Sequence, residues 1–279
     1  MTTAAVSVGL KLGVVGKGGV GKTTVSGLLA RSYSGRGSRV VAIDTDSNPN
    51  LGLSLGLSLA DTEAVPVLPR AALVGTGGGP SAEALITDFG RPTPAGPTLL
   101  SAIRVSEAGA GCTCSGHATV RSLLADALAD VDVTLVDMEA GLEHLSRSGG
   151  TLAYADVLLV VCEPTRKSVL TAVRTAALAE ELGIPHVLAV GNKARSSEDA
   201  EFLADALSTE GIELVGVLPY DAGVAERDRA GSVGLMQVSG DVQAVLDGIL
   251  GAVDNLLDAR ATHNAALRTA PDSAHLPEA

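Results

Sequence analysis

A glycine-rich segment near the start of the chain has the spacing of a phosphate-binding loop. Residues 16–24, GKGGVGKTT, fit Gly-x-x-x-x-Gly-Lys-Thr and lie between an apolar run and a segment with helical spacing. Glycines let backbone N–H groups converge on phosphate oxygens at a helix N-terminus. The pattern predicts that Lys22 reaches the β- and γ-phosphates of a nucleotide and that the Thr23 hydroxyl binds Mg²⁺. The predicted nucleotide contacts in this loop are Gly16, Lys17, Gly18, Gly19, Val20, Gly21, Lys22, Thr23 and Thr24.

Two acidic residues stand at the ends of predicted strands. Asp46 follows the run 39–44, and Asp137 ends the apolar run 133–137. Ligands in open α/β sheets bind at the carboxyl ends of the strands, so both residues are expected near the glycine-rich loop. Asp137 has the setting of a Walker B acid, which supports Mg²⁺, here through water. A capping or loop role is the alternative for Asp46, and the apolar run that ends in Asp137 is a common pattern when taken alone.

A Cys-x-Cys pair, Cys112 and Cys114, is a second candidate site. Residues i and i+2 of an extended segment point the same way, so both thiolates could reach one ion. Two ligands do not complete a site, but a symmetric dimer would supply four, enough for zinc, nickel or an iron–sulphur cluster. His117 could replace one thiolate. A pair of small buried residues stays open as the alternative, and Cys162, inside an apolar run, is predicted to be such a core residue.

Short β-branched runs alternate with longer Ala/Leu-rich segments along the chain. This alternation predicts an α/β fold, a doubly wound and mostly parallel sheet with helices on both faces. The predicted strands are 10–15, 39–44, 98–105, 133–138, 157–162, 186–191 and 214–218, and the predicted helices are 22–34, 120–129, 168–182, 197–208 and 242–257. We expect a single domain over 1–258, with 61–97 as an irregular Gly/Pro-rich excursion and 259–279 as a flexible tail.

Composition excludes several classes of protein. The 279 residues are 46% hydrophobic and 19% charged, which is too apolar for a disordered chain. The apolar runs fall far short of the roughly 20 residues that a membrane-spanning helix needs, and the N-terminus lacks a secretory pattern. Three cysteines cannot form a disulfide framework, and a net charge of −12 opposes binding to nucleic acid or anionic lipid. The sequence therefore predicts a cytoplasmic protein without nucleic-acid or membrane partners.

The second lysine of the loop, Lys17, resembles the deviant Walker A lysine of the nitrogenase iron protein, MinD and ParA ATPases. The resemblance implies a P-loop NTPase fold and a homodimer that forms on ATP binding. It implies that Lys17 is catalytic and acts on the partner's phosphates, and that Asp46 positions the attacking water. Asn192, Pro219 and Tyr220 resemble the adenine-contacting positions of the same proteins.

Two further stretches of sequence resemble one particular family among these ATPases. Gly-x-Gly-Cys-x-Cys before a predicted helix, together with VDMEAGLEH at 136–144, resembles the CooC-type nickel-insertion ATPases of carbon monoxide dehydrogenase maturation. That family implies ATP hydrolysis with Mg²⁺ and a Zn²⁺ or Ni²⁺ site that Cys112 and Cys114 share across a dimer. It also implies a client metalloenzyme such as carbon monoxide dehydrogenase.

Other functions remain as alternatives. One is an ATP-gated module that binds or senses metal without relying on turnover. Another is a MinD/ParA-like positioning ATPase, which residues 240–279 disfavour because their six acids outnumber two arginines. A reductase like the nitrogenase iron protein is disfavoured because residues 137–148 contain no second cluster cysteine.

Overall fold

A computed structural model of the chain describes residues 9–69, 80–104, 114–125, 131–140, 151–230 and 238–269. The strands of this described part form one sheet with the order β3-β4-β2-β5-β1-β6-β7-β8. They are β1 (Leu10–Gly16), β2 (Val40–Asp44), β3 (Arg91–Pro92), β4 (Thr98–Ser101), β5 (Val133–Asp137), β6 (Val157–Cys162), β7 (His186–Ala194) and β8 (Glu213–Pro219). All neighbours pair in parallel except β3 with β4. The predicted mostly parallel sheet is confirmed.

Helices connect these strands and cover both faces of the sheet. They are α1 (Lys22–Gly35), α2 (Leu51–Ser54), α3 (Leu59–Glu63), α4 (Ala82–Phe89), α5 (Cys114–Ala125), α6 (Arg166–Glu181), α7 (Ser197–Thr209), α8 (Ala222–Arg229) and α9 (Gly240–Thr269). Within the described ranges, the structure contains no helix that combines the length and the apolar character needed to span a bilayer.

The sheet lies between two hydrophobic layers. One layer includes α4, α5, α6 and α7, and the other includes α1, α2 and α9. Every residue of β6 is buried, and its side chains alternate between the layers, with Val160 in the first and Leu159 in the second. Strands covered on both faces need continuous apolar runs, which is why these segments could be predicted from sequence.

The strand expected at 98–105 ends at Ser101, and the helices α2 and α8 were not predicted. Three further differences concern larger segments. The range 61–97 was expected to be irregular, yet it contains α4, which Ser81 caps by accepting a hydrogen bond from the Ala84 N–H, and the edge strand β3. The helix expected at 242–257 continues to Thr269, so helical backbone covers the first part of the expected tail at 259–279. Helix α5 already includes Cys114, six residues before the expected start at 120, so Cys114 has helical backbone and not the extended backbone expected of it.

Candidate functional site

The glycine-rich loop joins the central strand β1 to the N-terminus of α1. Its backbone has positive φ at Gly16 (+147°), Gly19 (+83°) and Gly21 (+93°), the region that disfavours residues with a Cβ. A Cβ on Gly16 would lie 2.6 Å from the carbonyl oxygen of Val161 on β6. The glycines are therefore required both by backbone conformation and by close packing. The loop has the backbone that the phosphate-binding pattern predicts.

Lys22, the first residue of α1, lies beneath this loop with only 8% of its surface exposed. Its Nζ donates to the carbonyl oxygen of Lys17 at 3.5 Å. Burial lowers the pKa of Lys22, while the charges of Asp137, Asp46 and Glu139 oppose that effect. The structure thus holds a cation at the position where the sequence predicts contact with phosphates, and surrounds it with acids.

Two of the acids near the loop sit on neighbouring strands in direct register. Asp44 ends β2 and pairs with Asp137, which ends β5. Their exposed fractions are 1% and 2%. Burial raises the pKa of both carboxyls, and the charge of Asp137 raises that of Asp44 further. Hydrogen bonds from the side chains of Thr23 and Ser26 act in the opposite direction on Asp137, with the Ser26 Oγ donating at 2.9 Å.

The loop after β2 carries Asp46 and is held mainly by Asp44. The N–H of Asp46 donates to Asp44 Oδ1 at 3.0 Å, and the N–H of Leu51 donates to Asp44 Oδ2 at 2.8 Å. The half-buried Asp46 accepts the N–H of Asn48 at 2.8 Å. Ser47 donates to Glu139 at 3.1 Å, which ties this loop to the segment after β5. Asp46 therefore faces the phosphate loop on a short, internally bonded turn.

A cavity of about 800 Å³ runs from the phosphate loop to the ends of β7 and β8. Its size is within the range of small-molecule sites. Asn192, Pro219 and Tyr220, the residues expected near adenine, all line it, as do the predicted residues Gly18, Gly19, Gly21, Lys22, Thr23, Thr24 and Asp46. The guanidinium of Arg195 lies 4.0 Å from the centre of the Tyr220 ring. The cavity thus joins the predicted phosphate contacts to the predicted base contacts.

Several residues of this site were missed by the sequence analysis. Ser26 lies three residues after Thr23 on α1, and that helical spacing could have placed both hydroxyls near Asp137. The Asp-x-Asp spacing of Asp44 and Asp46 could have indicated that Asp44 holds the loop that carries Asp46. Arg195 carried no comparable signal, because its position depends on the irregular end of β7.

The Cys-x-Cys element is only partly visible. Cys112 lies outside the described residues, and Cys114 is described by its helical backbone alone. His117, on the next turn of α5, is 3% exposed. Among the residues that the structure describes, no group of three or more His, Cys, Asp or Glu has an arrangement that could hold a metal. Cys162 is fully buried in β6, as predicted, and burial raises the pKa of its thiol to about 11.

Comparisons with known proteins agree with this architecture. The family profile CbiA, the CobQ/CobB/MinD/ParA nucleotide binding domain, matches residues 14–233. The chain is 37% identical to the carbon monoxide dehydrogenase accessory protein CooC of Rhodospirillum rubrum, over 80% of this chain and 88% of that protein. An uncharacterised ATP-binding protein of Methanocaldococcus jannaschii is 36% identical over 80% of this chain and 90% of its own.

Solved structures show the same fold. MinD from Pyrococcus horikoshii, complexed with Mg-ADP, superposes with a TM-score of 0.66 at 20% identity, covering 85% of this chain and 93% of that one. At this identity the likeness concerns the fold alone. The eight-stranded sheet and the glycine-rich loop are thus parts of a P-loop NTPase fold of the MinD/ParA type.

Proposed function

Because this chain belongs to the CobQ/CobB/MinD/ParA nucleotide-binding family, we propose that it is an ATPase that dimerises around ATP. We propose further that the cycle delivers a divalent metal, nickel, to a metalloenzyme of the carbon monoxide dehydrogenase type. The single observation that carries the first proposal is the cavity in which Lys22, Asp46 and the loop backbone meet. The likeness to a carbon monoxide dehydrogenase accessory protein supports the second.

The proposed chemistry is in-line attack of water on the γ-phosphate, with cleavage of the β–γ phosphoanhydride. Positioning and electrostatics carry most of such a reaction. Lys22 offsets charge on the β- and γ-phosphates, and Asp46 orients the attacking water by accepting its proton in a hydrogen bond. The backbone N–H groups of the loop and the N-terminus of α1 hold the remaining phosphate oxygens.

The acids and hydroxyls beside Lys22 fit a magnesium ion. Thr23 supplies a hydroxyl and Asp137 a carboxylate, which are the oxygen ligands that Mg²⁺ prefers. In this assignment Thr23 binds the ion directly and Asp137 holds its water shell. The bound ion would offset negative charge on the β- and γ-phosphates.

Lys17 supports the proposed dimer by its position. Its side chain is half-buried and stands outside the set of described residues that line this chain's own cavity, while its carbonyl accepts the Lys22 ammonium. In the proposed dimer its ammonium reaches the partner's γ-phosphate. There it would neutralise charge that develops in the transition state, as an arginine finger does.

The proposed cargo site is the pair Cys112 and Cys114. Two thiolates from each chain of a symmetric dimer supply four soft ligands, which favour Ni²⁺ or Zn²⁺ over Mg²⁺. We therefore expect about one metal per two chains. The metal here is transported, so its occupancy is expected to change with the nucleotide state.

The test is metal analysis combined with light scattering on anaerobically purified protein, with and without MgATP. Changing both Cys112 and Cys114 to Ser should eliminate metal binding and leave ATP binding intact. Cys162→Ala is the matched control, since it removes the third thiol and spares the pair. A folded double-serine variant that binds Ni²⁺ with the parental stoichiometry would refute the cargo site.

A second experiment distinguishes an ATPase that delivers metal from a module that only binds or senses it. Transfer of nickel to a chelating acceptor is measured with ATP and with a nonhydrolysable analogue. An ATPase that delivers metal should release it only with ATP, because hydrolysis resets the dimer. Equal release with both nucleotides would favour the ATP-gated binding module.

A further inference from the structure

The end of β7 contains a bulge beside the nucleotide cavity. Gly191 pairs with Val217 of β8, and the next pair is Ala194 with Pro219. Two residues of β7, Asn192 and Lys193, thus face one residue of β8, which is the defining count of a β-bulge. Successive side chains of a regular strand point to opposite faces, so the bulge breaks that alternation at these two residues.

Lys193 has a backbone conformation that is unusual for its residue type. Its φ is +63°, and among the described residues it alone combines a positive φ with a side chain. The left-handed region is unfavourable for residues with a Cβ. Strain of this kind is retained where a particular side-chain direction is needed, often at functional sites.

The bulge brings the side chains of Asn192 and Lys193 to the phosphate loop. The Asn192 Nδ2 donates to the carbonyl oxygen of Val20 at 2.8 Å, and the Lys193 Nζ donates to that of Gly19. The two acceptors are consecutive carbonyls of the phosphate loop. A Cβ on Gly21 would clash with the Asn192 amide, so the loop and the bulge are also in steric contact.

These two hydrogen bonds fix the orientation of two peptide groups of the phosphate loop. In a trans peptide the C=O and the N–H point in opposite directions. The carbonyls of Gly19 and Val20 share peptide planes with the N–H groups of Val20 and Gly21. The Val20 N–H donates to the carbonyl oxygen of Lys17 at 3.4 Å. This distance is longer than that of a usual N–H···O hydrogen bond, so a phosphate oxygen can replace the carbonyl as acceptor.

We infer that the bulge residues Asn192 and Lys193 form a latch that holds the phosphate loop in its nucleotide-binding conformation before nucleotide arrives. Lys193 is then a positioning residue for the phosphates, which is a role separate from the expected contact of Asn192 with adenine. The amide of Asn192 can serve both, since its Nδ2 has two hydrogens and its Oδ1 is a further acceptor. The inference rests on the proposed nucleotide site and adds to it a cause for the loop's preorganisation.

The test compares Lys193→Met, Lys193→Gly and the control Lys167→Met, which changes an exposed lysine on α6. Affinity for MgADP is measured by calorimetry, affinity for adenosine by competition, and melting temperature without nucleotide. Both Lys193 variants should bind MgADP about fivefold more weakly, because a charged donor to the loop is lost, and should bind adenosine like the parent. Lys193→Gly should nevertheless melt at a higher temperature than Lys193→Met, because glycine relieves the left-handed strain.

An equal loss of MgADP affinity in two variants of different stability is what a merely structural residue would not produce. Parental MgADP affinity in a folded Lys193→Met would overturn the latch, and so would an equal loss of adenosine affinity, which would indicate contact with the nucleoside. If the parent itself fails to bind MgADP, the nucleotide site is wrong, and the latch is wrong with it. Circular dichroism of each variant checks folding.

Discussion

Asp44→Asn should uncouple ATP binding from hydrolysis by loosening the turn that carries Asp46. Both oxygens of Asp44 accept backbone N–H groups, from Asp46 and from Leu51. An asparagine has one acceptor oxygen, so one of these buried N–H groups must face the amide's own donors. An unsatisfied buried donor costs about 1–3 kcal/mol. The relief of repulsion with Asp137, directly opposite in register, offsets part of this cost.

The substitution should impair ATP hydrolysis more strongly than it impairs folding. The N–H that loses its acceptor belongs either to Asp46 or to the end of its turn, so the carboxylate proposed to orient water should shift. A misplacement of about 1 Å can cost on the order of a hundredfold in rate. We therefore expect kcat to fall at least tenfold while the dissociation constant for MgATP stays within about twofold of the parent.

The assay combines phosphate release, ATP titration and urea denaturation, with Asp132→Asn as a matched control. Asp132 also accepts a backbone N–H, that of Arg39 at 2.7 Å, but it precedes β5 at the opposite edge of the sheet. The control loses the same charge but keeps an acceptor oxygen for its single N–H donor, so it should retain both this hydrogen bond and kcat. The reasoning is refuted if Asp44→Asn is folded and hydrolyses ATP at the parental rate, or if the control is equally slow.

Three further predictions concern the same site. Lys22→Ala should abolish ATP binding, whereas Asp46→Ala should bind ATP and lose turnover; parental turnover in Asp46→Ala would contradict its role. Lys17→Gln should weaken the MgATP-dependent dimer in light scattering, and a parent that stays monomeric with MgATP would remove this mechanism. The contribution of Asp44 and Asp137 to the unfolding free energy without nucleotide should fall as pH rises from about 4 to about 7, because folding raises their pKa values to about 7 and about 6, and the stability from their bound protons is lost between the unfolded and the folded pKa. Urea denaturation should show that the unfolding free energy of Asp44→Asn depends less on pH than that of the parent. The same pH dependence in both proteins would contradict the raised pKa values of Asp44 and Asp137.

The sequence predicted the parts of the fold whose signal is local. β6 was predicted residue for residue because a strand buried on both faces must be continuously apolar. The short helices α2 and α3 and the two-residue strand β3 are too short to show a periodic pattern of apolar residues, so this pattern could not predict them. Contacts with distant segments also occur there, since Arg91 pairs with Asp61 at 2.9 Å, thirty residues earlier.

The same distinction applies to the site. The phosphate loop could be predicted because its glycines are required by backbone conformations that they alone adopt easily. The latch could not, because Asn192 and Lys193 become neighbours of the loop only through a bulge between β7 and β8. A bulge depends on how two strands pair, and one strand's sequence does not contain that information.

The charges around Lys22 explain why this site needs a cation together with its nucleotide. In the nucleotide-free chain, Asp137, Asp46 and Glu139 favour the charged form of the buried ammonium. A triphosphate would add several negative charges to the same space, which Lys22 alone cannot offset. Mg²⁺ at the oxygen ligands should therefore strengthen binding and, in the proposed dimer, so should the Lys17 of a second chain. In that proposal the surplus of acid at the carboxyl edge of the sheet couples nucleotide binding to dimerisation.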